Sequence, residues 1–158
     1  MEKVYLETTI PSYLTGKLNR DIVVAAQQQA TREWWETARF DYELLISEAV
    51  VFECNRGDED AVSRRTSIIN GLSILKATEE VEYLAEVLFK LLGIPERSKL
   101  DAVHLAFAVV YEINYLLTWN CKHLAHGEIR EKIHNYCLKN GLFEPMIVTP
   151  FELMRRDY

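Results

Sequence analysis

Short apolar runs alternate with longer stretches of helical period along this chain. Val4-Tyr5-Leu6, Leu44-Leu45-Ile46, Ser73-Ile74-Leu75, Tyr115-Leu116-Leu117 and Met146-Ile147-Val148 have the length and composition of short buried strands. Between them, Val81, Leu84, Ala85, Leu88, Leu91 and Leu92 recur at the spacing that lays one face of a helix on a core. Strand followed by helix, repeated along the chain, predicts a mostly parallel sheet: parallel neighbours need long crossovers, and helices supply them. The expected fold class is α/β, a three-layer α/β/α sandwich with a mostly parallel five-stranded sheet, in a single domain over residues 1–158.

Helix punctuation sharpens this pattern. Thr149-Pro150-Phe151-Glu152 offers an N-cap, a first-turn proline and a capping-box glutamate for a short final helix. Gly93-Ile94-Pro95 stops the helix before it, and Ser98 with Asp101 forms the spacing of a second capping box. Arg56-Gly57-Asp58-Glu59-Asp60 is a polar connector too short to divide domains. Trp34-Trp35 cannot both face one core from adjacent helical positions, so one of them is expected to reach another surface.

Composition narrows the class. The 158 residues are 49% hydrophobic and 27% charged, the balance of a globular protein that buries a core. Neither a leader-like segment nor an apolar run of spanning length is visible, which leads to the expectation of a cytoplasmic protein with no membrane association. Cys54, Cys121 and Cys137 are odd in number and form no CxxC pair, so free thiols are expected. A net charge of −6 argues against nucleic-acid binding by bulk basicity.

In open parallel sheets, ligands bind outside the carboxyl ends of the strands. Glu7 directly follows the first predicted strand and Glu53 lies one and a half to two helical turns beyond the second. Asp101 opens the helix before the fourth strand, and Asn120 follows that strand. Clustered carboxylates repel unless a cation sits among them, and hard oxygen donors favour Mg2+ or Mn2+. Each residue also has a plainer explanation: a capping-box role for Asp101, a solvated helix face for Glu53, turn chemistry for Asn120. Glu7 resists one, because it ends an apolar strand where an unpaired charge is costly.

Tyr5-Leu6-Glu7-Thr8-Thr9, Glu48 to Glu53, Asp101-Ala102-Val103-His104-Leu105-Ala106 and Leu117-Thr118-Trp119-Asn120 occur in the order of PIN-domain blocks. Over nearly its whole length the chain resembles a stand-alone PIN domain of the VapC toxin kind. Two positions depart from that pattern: Glu7 replaces the usual Asp, and Asn120 stands where many such domains place a fourth acid. The resemblance implies a metal-dependent ribonuclease that hydrolyses RNA phosphodiester bonds, the toxin of a type II toxin-antitoxin pair. It implies Glu7, Glu53, Asp101 and Asn120 as the catalytic, metal-holding set, with Mg2+ or Mn2+ as cofactor. Three carboxylates are expected to hold one ion firmly and to recruit a second together with the RNA phosphate.

Thr8 and Thr9 are candidates to hold a carboxylate or phosphate. Among basic residues, Lys122-His123 is favoured over Arg64-Arg65 for contact with RNA, and Lys122 is the preferred member because it lies two residues past Asn120. His104 reads as a packed helix residue outside the site. The resemblance further implies a homodimer and a cognate antitoxin whose peptide covers the site. The alternatives are a catalytically weakened PIN-like module that binds RNA or protein, and a Rossmann-like nucleotide binder. The latter is disfavoured because no GxGxxG or P-loop follows any strand.

Overall fold

The computed structural model describes residues 1–157 and contains one five-stranded sheet. Its strands are β1 (Lys3–Leu6), β2 (Glu43–Ser47), β3 (Ser73–Leu75), β4 (Tyr115–Leu117) and β5 (Met146–Val148), each on a run the apolar pattern marked. Spatial order is β3-β2-β1-β4-β5 and every neighbouring pair is parallel. The helices are α1 (Thr9–Thr15), α2 (Ile22–Glu36), α3 (Glu48–Cys54), α4 (Glu59–Ile69), α5 (Glu79–Leu92), α6 (Lys99–Val110) and α7 (Gly127–Asn140). Together they make the three-layer α/β/α sandwich expected of the alternating pattern.

Local chemistry fixes the helix starts that matter to the site. Ser47, the last residue of β2, accepts the Val50 amide and turns the chain directly into α3. Asp58 and Thr78 cap α4 and α5 in the same way. In α5, Val81, Leu84, Ala85, Leu88 and Leu92 are buried, while Leu91, on the margin of that stripe, stays 38% exposed. Gly93 ends the helix at φ 63°, a conformation an L side chain resists.

One sequence expectation is met by a tighter helix and another needs correction. The Thr149 capping box forms, but the turn it opens is a 3-10 helix, Pro150–Leu153. Ser98 makes no side-chain cap, because α6 grows out of a preceding 3-10 turn, Glu96–Ser98. Asp101 spends its carboxylate on His123 instead. Trp34 is fully buried with its Nε1 donating to the Leu153 carbonyl, 3.1 Å. Trp35 is half-buried under the Arg39 guanidinium. All three cysteines are free, with Cys121 exposed. Among the described residues no helix is long and apolar enough to cross a membrane.

The strand order reverses direction at β1. Successive strands run outward from β1 through β2 to β3, then return to its other side for β4 and β5. Crossovers therefore diverge at the carboxyl ends of β1 and β4 and open a crevice there. Glu7 is the first residue beyond β1, and its amide donates to the last carbonyl of β4, Leu117, 3.1 Å.

Candidate active site

The Glu7 side chain is 4% exposed. Three donors converge on its Oε1: the Thr9 hydroxyl at 2.5 Å, the Thr118 hydroxyl at 2.7 Å and the Thr9 amide at 3.1 Å. Both hydroxyls are aimed by the backbone leaving β4. The Trp119 amide donates to Thr9 Oγ1 at 2.8 Å and the Asn120 amide to Thr118 Oγ1 at 2.9 Å, so each hydroxyl proton is turned toward Glu7. Among the described residues Oε2 accepts no hydrogen bond. Burial nevertheless holds the Glu7 carboxyl above its ordinary range, and the His104 charge and the hydrogen bonds offset this only in part.

Glu53 reaches the same crevice from α3. Its Oε1 accepts the Thr8 hydroxyl at 2.7 Å and lies 2.6 Å from His104 Nε2. The other His104 nitrogen, Nδ1, is 2.6 Å from the Tyr5 hydroxyl, which is 2.6 Å from Ser47 Oγ. His104 is fully buried, the one polar residue among the buried positions of α6. A protonated ring satisfies this chain throughout, donating to Glu53 and to Tyr5 while Tyr5 donates to Ser47. Burial opposes charge on the ring, but the Glu53 hydrogen bond and the charges of Glu53, Glu7 and Asp101 outweigh it and raise the His104 pKa. For Glu53 burial acts upward, and the His104 and Thr8 contacts with the Arg56 charge outweigh it, so the net shift is downward.

Asp101 and Asn120 form a second cluster, joined through His123. Asp101 Oδ2 is 2.8 Å from His123 Nδ1, and Asn120 Oδ1 accepts the His123 amide at 3.1 Å. His123, expected as an RNA contact, thus directs its ring to a carboxylate. Lys122 is exposed on the same turn. Of the expected metal-holding set, Glu7 and Glu53 are brought together. Their ligand atoms and a His104 nitrogen lie within 4.8 Å of one another, a group that does not include Asp101. Asn120 uses its side-chain oxygen as a turn acceptor.

A donor set of two carboxylates, each pinned through one oxygen, suits a divalent cation. It would relieve the repulsion between them and the cost of ionising Glu7 where it is buried. Sequence reasoning left His104 outside the site: it is packed, as expected, yet its ring edge faces the carboxylates. A buried histidine with its two nitrogens on Tyr5 and Glu53 fixes the orientation of the Glu53 carboxylate. The signal was the burial of α6 on nearly all sides, which leaves any polar residue there in need of partners.

An open α/β sheet with carboxylates at its switch point defines a class of site, an acidic crevice suited to a cation. The fold that carries it is that of VapC-like PIN domains. VapBC2 of Rickettsia felis, solved bound to a DNA fragment from its promoter, superposes with a TM-score of 0.60 at 14% identity, covering 93% of this chain and 98% of that one. VapC20 of Mycobacterium tuberculosis, a toxin that cleaves the sarcin-ricin loop, gives a TM-score of 0.55 at 18% identity, covering 72% of this chain and 86% of that one. The likeness is one of fold. No described protein family and no curated protein matches the sequence.

Proposed function

We propose that this protein is a metal-dependent endoribonuclease that hydrolyses RNA phosphodiester bonds, acting as the toxin of a type II toxin-antitoxin pair in the cytoplasm. The observation that carries the proposal is the pair Glu7 and Glu53, brought from the end of β1 and from α3 to the switch point of a VapC-like PIN fold, each held through one carboxylate oxygen. In this reading Glu7 and Glu53 hold Mg2+ or Mn2+. Asp101 and Asn120, tied together by His123, complete the rim of the site and orient water or a second ion. Thr9 and Thr118 keep Glu7 in place, Thr8 keeps Glu53 in place, and Lys122 meets the RNA backbone at the mouth. The chemistry supplied by the bound ion is Lewis acidity: a better water nucleophile at neutral pH and relief of charge developing on the phosphate.

Bound cations also reverse the local field, which reconciles an acidic protein with a polyanionic substrate. The likeness to VapBC2 of Rickettsia felis supports an antitoxin as partner here, and a homodimer is proposed with it on the family resemblance alone. The VapC20 likeness supports a structured RNA as substrate. The test is incubation of structured RNAs, a sarcin-ricin hairpin among them, with purified protein in Mn2+ or Mg2+, with and without EDTA, beside Asp101→Ala. Cleavage abolished by EDTA and by the substitution is the expected result. No cleavage, with no metal-induced thermal shift, would replace this reading by a non-catalytic PIN-like binding module, for which the engaged side-chain oxygen of Asn120 is the observation in favour.

A further inference from the structure

Beside Glu53 the surface opens into a shallow cavity of about 280 Å³ lined by Thr8, Ser12, Glu53, Arg56 and Arg65. Its lining carries two arginines against one carboxylate, so the cavity is basic although the protein is acidic. Arg65 is fixed from α4: its Nε and Nη2 donate to the Cys54 carbonyl at 3.3 and 3.2 Å, and Nη2 also donates to the Arg56 carbonyl at 2.5 Å. Its Nη1 makes no hydrogen bond among the described residues, nor does the Ser12 hydroxyl. Arg56 follows the end of α3, exposed, with its guanidinium 5.3 Å from the centre of the exposed Phe52 ring. The charge of Arg56 acts on Glu53, so it stands at the edge of the acidic crevice.

We propose that this cavity is a phosphate subsite for the RNA strand, in which Arg56 and Arg65 bind the backbone phosphate next to the one cleaved. The inference rests on the nuclease reading of the acidic crevice and names the direction in which substrate leaves it, across α1 and the end of α3. Thr8 joins the two sites, since it lines the cavity and donates to Glu53. Arg65 is immobilised by the chain it caps, so little side-chain freedom is lost when it meets a phosphate. Arg56 is free to close over the phosphate from the Phe52 side. Phosphate contacts of this kind set the register of the strand and leave sequence to be read elsewhere.

The test compares wild type, Arg56→Ala and Arg64→Ala. Arg64 is an exposed neighbour on α4 outside the cavity lining, and its loss changes net charge equally. Binding of a labelled structured RNA is measured in calcium, on RNA recovered intact, across a salt series; cleavage is measured in manganese. Arg56→Ala is expected to weaken binding about tenfold at low salt and to lower the salt slope by roughly 0.7–0.9. It should raise KM with little change in kcat, while Arg64→Ala matches wild type. If Arg56→Ala binds and cleaves like wild type, or no worse than Arg64→Ala, the subsite is wrong and the nuclease reading stands. Weakened binding by Arg56→Ala in a protein that never cleaves keeps the subsite and removes the nuclease. A wild type that neither binds nor cleaves RNA removes both.

Discussion

His104 Nε2 lies 2.6 Å from Glu53 Oε1, with the ring fully buried and the carboxylate partly open to the crevice. The contact joins the core of the sandwich to its chemistry, because the far side of the same ring rests on Tyr5, in the middle of β1. Replacing Glu53 leaves the buried His104 Nε2 without its partner, and replacing His104 takes one hydrogen bond each from Glu53 and the buried Tyr5 hydroxyl, at a cost of roughly 1–3 kcal/mol. His104→Ala is expected to lower stability by at least that much in urea unfolding of the metal-free protein. A midpoint equal to wild type would show that Ser47 alone suffices for the Tyr5 hydroxyl and Thr8 for Glu53.

The pair also sets a pH dependence for the protein in EDTA. The His104 pKa is raised in the folded state, so its contribution is full below the ordinary imidazole value and is lost as pH rises through the raised value. The Glu53 pKa is lowered, so its contribution is present above the ordinary carboxyl value and is lost as pH falls through the lowered one. Glu7 acts the opposite way: its raised pKa makes ionisation costly above the ordinary carboxyl value, a cost that acid removes. Stability should therefore be greatest between the ordinary carboxyl and imidazole ranges and decline toward alkaline pH. Thermal melts across pH should show that alkaline decline flattened in His104→Gln. An unchanged decline would assign it to other groups.

Glu7→Gln keeps an oxygen for Thr9 and Thr118 while removing a charge that burial disfavours. At neutral pH in EDTA the variant should melt no lower than wild type. The thermal shift produced by Mn2+ should disappear. Retention of the full shift would place the ion away from Glu7.

Thr118→Val tests orientation with little change in shape. It deletes the 2.7 Å donor to Glu7 and the acceptor of the Asn120 amide. Partners that orient a ligand typically contribute tenfold to a hundredfold in metal affinity, so calorimetric titration should show Mn2+ binding weakened by about tenfold or more. Equal affinity would mean that the Thr9 hydroxyl and amide suffice.

Trp34→Phe isolates one bond outside the site. The indole donates to the carbonyl of Leu153, which ends the 3-10 turn Pro150–Leu153 and so ties the last element to α2. Loss of the donor and of ring volume should destabilise the protein by about 1–3 kcal/mol in urea, with Mn2+ binding unaffected. A coupled loss of metal binding would show that this packing reaches the crevice.

The sequence by itself determined the elements and their order. Five apolar runs fell on the five strands, because their shortness and β-branched or aromatic content favour strand over helix, although β3, at the sheet edge, leaves Ser73 and Ile74 exposed. The alternation with helices determined that the sheet would be parallel, and an acid at the end of β1 marked the crevice. Tertiary structure decided which side chains meet. Glu7 and Thr118 are 111 residues apart and touch only because β4 returns to the open side of β1. Asp101 meets His123 across 22 residues, while the 3-10 turn before α6 leaves the Ser98 cap unmade. Contact between α6 and α3 sets the His104 ring on Glu53, while the packing of α4 on α3 sets Arg65 beside Arg56. Spacing along a chain reports which face of an element a residue occupies, but partners across elements depend on strand order and on the direction each buried polar group must take to be satisfied.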